Sequence, residues 1–123
     1  MVQVFRMYWK NLAPNLVRQR IVIESTCDHT PREDEIKDYL EKLSHVVGMK
    51  MLGKPFAYIA EDKGWGGWIH WVTSGAHFYS YTTNPPFFSV DAYTCKPFDV
   101  QKAVEFTHKY FDANEIVWKE VEV

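Results

Sequence analysis

Residues 68–81 read WIHWVTSGAHFYSY. Rings crowd both ends of this stretch, and a bare Thr73-Ser74-Gly75-Ala76 sits between them. Bulky aromatic and β-branched residues interrupted by small ones are the mark of strands meeting at a break. The spacing predicts strands over 68–74 and 77–83, parted at Gly75. In the first strand alternation puts Trp68 with His70 on one face and Trp65, Ile69 and Trp71 on the other. A third run, 87–95, follows after Asn84-Pro85-Pro86, a set of turn residues.

Outward from these strands the pattern extends to both termini. Val2, Val4, Phe5, Met7 and Trp9 suggest a first strand, and 16–26 a second. Thr30 is read as a helix cap, with Pro31 at the first helical position and Glu33 closing a capping box. Ile36, Tyr39, Leu40, Leu43, Val46 and Val47 then recur at helical spacing, and Gly48 ends the helix. Residues 49–60 read as a strand bent at Pro55. Residues 61–67, EDKGWGG, read as a loop because three glycines fall there. Asp99 caps a second helix whose apolar face carries Val100, Ala103, Val104, Thr107, Tyr110 and Phe111. Residues 114–123 close the chain as a strand through Ile116, Trp118 and Val121.

The order β-β-α-β-β-β-β-α-β implies an α+β two-layer sandwich: a mostly antiparallel sheet with two helices packed on one face. The 123 residues are read as a single domain, long enough for a core without staples. Aromatics make up 16% of the chain, so rings must either fill the core or line a surface. The bare sheet face calls for a partner, and a homodimer covering it is expected. Net charge is −2 with pI near 6.2, which excludes a nucleic-acid footprint. No apolar run is long enough for a membrane span, and no leader pattern opens the chain. Two distant cysteines, Cys27 and Cys95, are no disulfide scaffold, so a cytoplasmic setting is expected. No ligand set for a metal is apparent, and no helix follows the glycines of 64–67 to make a phosphate loop.

Several short motifs in this order resemble the S-adenosylmethionine decarboxylase proenzymes of bacteria and archaea. The resemblance runs from about Arg20 onward. Cys27-Asp28 ends an early strand, and a helix closes on Gly48. Gly64-Trp65-Gly66-Gly67 stands where the family has Gly-x-Ser-Gly. Thr73-Ser74-Gly75 stands where it has Glu-Ser-His. Asp91-Ala92-Tyr93-Thr94-Cys95 matches Asp-x-x-Thr-Cys and is the most specific piece. The resemblance implies self-cleavage before a serine, which becomes a pyruvoyl cofactor and serves as an electron sink in decarboxylation. It places Ser74 at the pyruvoyl position and Cys95 at that of the proton donor. It also suggests Trp65, Trp68, His77 and Tyr79 as a substrate-binding wall.

The helpers of that chemistry are replaced here. Thr73 stands for the family's glutamate, Gly75 and Tyr79 for its two histidines, and Gly66 for the serine of the preceding turn. A second register, with His77 on the histidine after the serine, puts Ala76 at the cleavage point and abolishes the reaction. Cleavage by a side-chain hydroxyl needs a base and an oxyanion donor within reach. Read along one strand, His70 and Ser74 would lie roughly 13 Å apart at about 3.3 Å per residue. The leading expectation is therefore a diverged family member that does not self-process and acts as an adenosyl-binding, small-molecule-binding or regulatory protein. Its ligand would be a small molecule such as S-adenosylmethionine, and it would carry no cofactor. The alternatives are an active pyruvoyl decarboxylase cut between Thr73 and Ser74, and an unrelated α+β dimeric module. Ser74 as a small strand-end residue and Cys95 as an inert thiol are the plain structural readings.

Overall fold

The computed structural model describes residues 8–122. Its elements run β1 (Gln19–Thr26), α1 (Glu33–Val46), β2 (Phe56–Ile59), β3 (Gly64–Trp71), β4 (Ser74–Tyr81), β5 (Phe87–Thr94), α2 (Val100–Phe111) and β6 (Glu115–Glu120). The strands form one antiparallel sheet in the order β2-β3-β4-β5-β1-β6. The helices bury their apolar faces on one side of it, which is the α+β arrangement the alternation implies.

Most of the expected first strand falls on residues outside those described. Residues 8–18 carry no strand, so β1 begins at Gln19 rather than at Leu16.

Rings fill the space between the layers. Tyr39 of α1 meets Phe78 of β4 at 5.5 Å and Phe111 of α2 at 4.8 Å. Phe78 stacks on Phe88 at 5.2 Å. Full burial of each such ring is worth about 2 kcal/mol over leaving it in water. The Tyr39 hydroxyl shares a 2.7 Å hydrogen bond with Thr107, so its one polar atom is satisfied inside the core. Burial raises its pKa far above the ordinary tyrosine range.

The first helix starts later than its apparent capping box. Arg32, with extended backbone, occupies the cap position and makes no side-chain cap. Pro31 is buried, and its carbonyl accepts a 2.7 Å hydrogen bond from Ser80 Oγ, which ties this segment to β4. The acidic Glu33, Asp34 and Glu35 fill the first turn and suit the helix dipole. At the other end the glycine stop is as expected. Gly48 has φ +71°, its N–H bonds His45 O, and Met49 N–H bonds Ser44 O. That double closure is a Schellman motif. Asp99 caps α2 as expected, accepting from Lys102 N–H at 3.2 Å.

Glycines 64, 66 and 67 belong to β3 and not to a loop. They serve close approach. A Cβ on Gly67 would lie 2.6 Å from Ile36 Cγ2, so α1 rests directly on the strand there. A Cβ on Gly66 would lie 2.6 Å from the Tyr58 ring on the opposite face. Residues 49–55 are irregular apart from one bridge, Met51 to Trp71, and the strand proper starts after Pro55.

The central hairpin turns earlier than the sequence pattern implies. Val72 and Thr73 form a two-residue loop, and Trp71 pairs with Ser74. Ser74 therefore opens β4 instead of closing β3. Thr73 has φ +66°, a left-handed conformation that is costly for a β-branched residue. Trp71 anchors the hairpin from below. Its indole N–H donates to Ser44 Oγ at 2.7 Å, and that hydroxyl donates to Leu40 O at 2.8 Å, all buried.

Two variants test this anchorage. Ser44→Ala strands the indole N–H and is expected to cost about 1–3 kcal/mol in urea unfolding. A loss below about 0.5 kcal/mol, the scatter of neutral surface changes, would mean the hydrogen bond contributes nothing. Thr73→Gly relieves the left-handed strain and is expected to stabilise by about 1 kcal/mol, net of the glycine's freedom in the unfolded chain. Destabilisation would show that the turn is not strained.

Candidate functional site

The antiparallel register sets residues side by side in rows on the sheet face away from the helices. One row runs His70–Gly75–Tyr93–Arg20 across β3, β4, β5 and β1. The next runs Phe56–Trp68–His77–Asp91–Val22, starting from β2. A third carries Tyr58, Gly66, Tyr79, Ser89 and Glu24. Gly75 is the one position of the first row without a side chain. A hollow of about 470 Å³ lies here, lined among others by Arg20, His70, Ser74, His77, Asp91 and Tyr93.

Ser74 and Cys95 are brought together at the rim of this hollow. Cys95 follows the end of β5, and its backbone N–H donates to Ser74 Oγ at 3.1 Å. Its thiol donates to Thr73 O at 3.2 Å and lies 3.9 Å from Tyr93 Oη. The peptide that self-cleavage would break thus has a thiol on its carbonyl and the serine hydroxyl beside it. No carboxylate or imidazole among the described residues hydrogen-bonds to Ser74 Oγ.

The early turn changes the relation of Ser74 to His70. They do not sit four residues apart on one strand. His70 pairs with Gly75 across the hairpin, so it is a diagonal neighbour of Ser74. Paired residues share a face, and Ser74 takes the helix-side parity of Trp71 while His70 lies on the open side. Both still line the same hollow.

Of the four expected wall residues, His77 lines the hollow and Trp68 stands next to it, stacked on His70 at 4.5 Å and on Phe56 at 5.3 Å. Tyr79 is one row further along, parallel to His77 with centroids 6.3 Å apart. Burial, with smaller contributions from Tyr58, Asp91 and Tyr81, raises the Tyr79 pKa. Trp65 is not brought to this wall. It packs on the helix side, as alternation requires, and borders a separate hollow.

In that second hollow His29 is held between Asp28 at 2.7 Å and Glu35 at 2.9 Å. Hydrogen bonding to Asp28 and then to Glu35 raises the His29 pKa, and the His29 bond lowers that of Asp28. Those carboxylates are already occupied by a side chain of the protein. Cys27 is buried beside them, and desolvation raises its pKa. Among the described residues no group of three His, Cys, Asp or Glu could hold a metal ion. No helix among them is long and apolar enough to cross a membrane.

Arg20 and Tyr93 are site residues that the sequence does not single out, and Asp91 stands out only as a motif position without a role. Period two counted back from Cys95 would have put Tyr93 and Asp91 on one face. Arg20 joins them only through the β1–β5 register, which a single sequence does not display.

Residues 22–122 match the family model described as S-adenosylmethionine decarboxylase. The comparison with curated proteins gave no match. Among solved structures, the adenosylmethionine decarboxylase from Aquifex aeolicus VF5 aligns with a TM-score of 0.66 over 87% of this chain and 90% of that one. Identity is 18%, so this likeness speaks for the fold alone. The family match spans most of the chain, and with the shared fold it establishes that this protein belongs to the S-adenosylmethionine decarboxylase family.

Proposed function

We propose that this chain is a family member that stays uncleaved and uses the open-face hollow to bind an adenosyl-type small molecule. The observation that carries this reading is the isolation of Ser74. Its hydroxyl oxygen accepts the Cys95 N–H, and among the described residues no base is hydrogen-bonded to it. Attack on the Thr73 carbonyl requires removal of the hydroxyl proton, and proton transfer needs a partner within about 2.6–3.2 Å or through one water. The residues around Ser74 do not fit the making of a pyruvoyl group.

The binding half of the reading rests on the wall. Phe56 and Tyr58 offer π-faces on the same side of the sheet as the hollow, and Trp68, stacked on Phe56 and His70, supports them. Such faces stack on flat bases with little loss of conformational entropy. Phe56 and Tyr58 are 48% and 43% exposed, and a second copy of the chain is the partner we propose for the part a ligand leaves bare.

One observation favours a second reading. The Cys95 thiol on Thr73 O would polarise the carbonyl, and the left-handed Thr73 stores strain at the bond to be cut. On that reading Ser74 is the precursor of an active decarboxylase.

Intact mass separates the two. We expect freshly purified protein, after prolonged incubation, to remain one species of 14.5 kDa and to bind S-adenosylmethionine or adenosine in calorimetry. Two fragments divided after Thr73, the second without a free amino terminus, would instead make Ser74 a cofactor precursor and the chain an enzyme.

A further inference from the structure

We propose that the hollow over Gly75 recognises an acid group: it takes a small ligand bearing a carboxylate or phosphate, gripped by Arg20, His70 and His77. This inference rests on the reading of the hollow as a ligand site in the uncleaved chain.

Three nitrogen-bearing side chains line the hollow; two are braced by a ring, and the third has a ring alongside it. The Arg20 guanidinium sits 4.7 Å over Tyr93. His70 stacks on Trp68 at 4.5 Å. His77 lies parallel to Tyr79 at 6.3 Å. Bracing restrains side chains that would otherwise sample many rotamers, so less entropy is lost when a ligand binds. A guanidinium seated on a ring keeps its in-plane N–H groups free, and their fork matches carboxylate or phosphate.

None of the three side chains has a hydrogen-bond or ion-pair partner within the described protein. The salt bridges of the described residues lie elsewhere, between His29 and Asp28 or Glu35, between Lys37 and Glu33, and between Lys42 and Asp38. Asp91 is the single carboxylate of the hollow. It is equally unpaired, and it suits a hydroxyl or amine elsewhere on the ligand. The donors therefore outnumber the acceptor. A solvated surface would explain charges, but not a guanidinium and an imidazole each seated on a ring, with a second imidazole beside them, around one concavity.

Gly75 supplies the space. Strands lie about 4.8 Å apart, so His70 and Tyr93 flank a gap of roughly 10 Å with no side chain between them. The remaining walls include the apolar Val22, Ala92 and Val121. An acid group lowered into this gap meets Arg20 from one side and the imidazoles from the other.

The test holds the adenosine part constant and adds or removes the acid group. Calorimetric titration with AMP and adenosine should give AMP at least about tenfold tighter than adenosine. Arg20→Gln should erase that advantage and leave adenosine within about twofold, and His70→Gln should reduce it in part. Arg20→Lys, which keeps the charge without the planar fork, should fall between wild type and Arg20→Gln. Adenosine binding as tightly as AMP, or an AMP affinity unmoved in Arg20→Gln, would overturn the proposal. Inorganic phosphate and acetate, followed through the His70 and His77 ring signals by NMR, test the acid group without the nucleoside and rank the two acids. If these ions shift the ring signals while no adenosyl compound binds, the adenosyl reading fails and the acid-group site stands. If neither ion shifts them and AMP has no advantage, the acid-group proposal fails whatever adenosine does.

Discussion

Val72 and Thr73 give the chain only two residues in which to reverse between β3 and β4. That economy fixes the register of the central hairpin, and a slip of one residue would send every side chain of a strand to the other face. With Trp71 opposite Ser74, the indole reaches Ser44 of the first helix and the serine reaches the backbone of Cys95. With Gly75 opposite His70, the open face acquires its gap. The left-handed Thr73 is tolerated because the strands on both sides over-determine it.

Much of this architecture was legible in the order of apolar and polar residues. Alternation assigned Trp68 and His70 to one face and Trp65, Ile69 and Trp71 to the other, and the Gly48 and Asp99 helix signals hold. The failures have common causes. Glycines at 64, 66 and 67 look like loop residues, yet they lie in a strand because Ile36 and Tyr58 press against it. Thr73 hides the turn, since a β-branched residue is the last one expected at positive φ. Pro31 and Thr30 look like a helix start, but Ser80 holds that segment extended.

The site was legible to a lesser degree, and for a different reason. Ser74 and Cys95 could be picked out by motif, and they do meet. Arg20 could not, because what makes it part of the site is a pairing with Tyr93 seventy-odd positions away. Trp65 was grouped with the wall on the strength of its ring alone, while parity sends it to the core side. Residue type announces what a group can do. Register decides which groups do it together.

Gly75 also limits what its own position can carry. The resemblance, in one of its two registers, puts a histidine there in the family, and here the backbone of the neighbouring strand stands close on one side. A Cβ at that position would stand 2.9 Å from the Ile69 carbonyl oxygen, nearer than ordinary packing allows. Placing a ring there by one substitution would therefore require the local backbone to shift first. Change at the hollow is easier at its rim, where side chains already stand, than at this point of its floor.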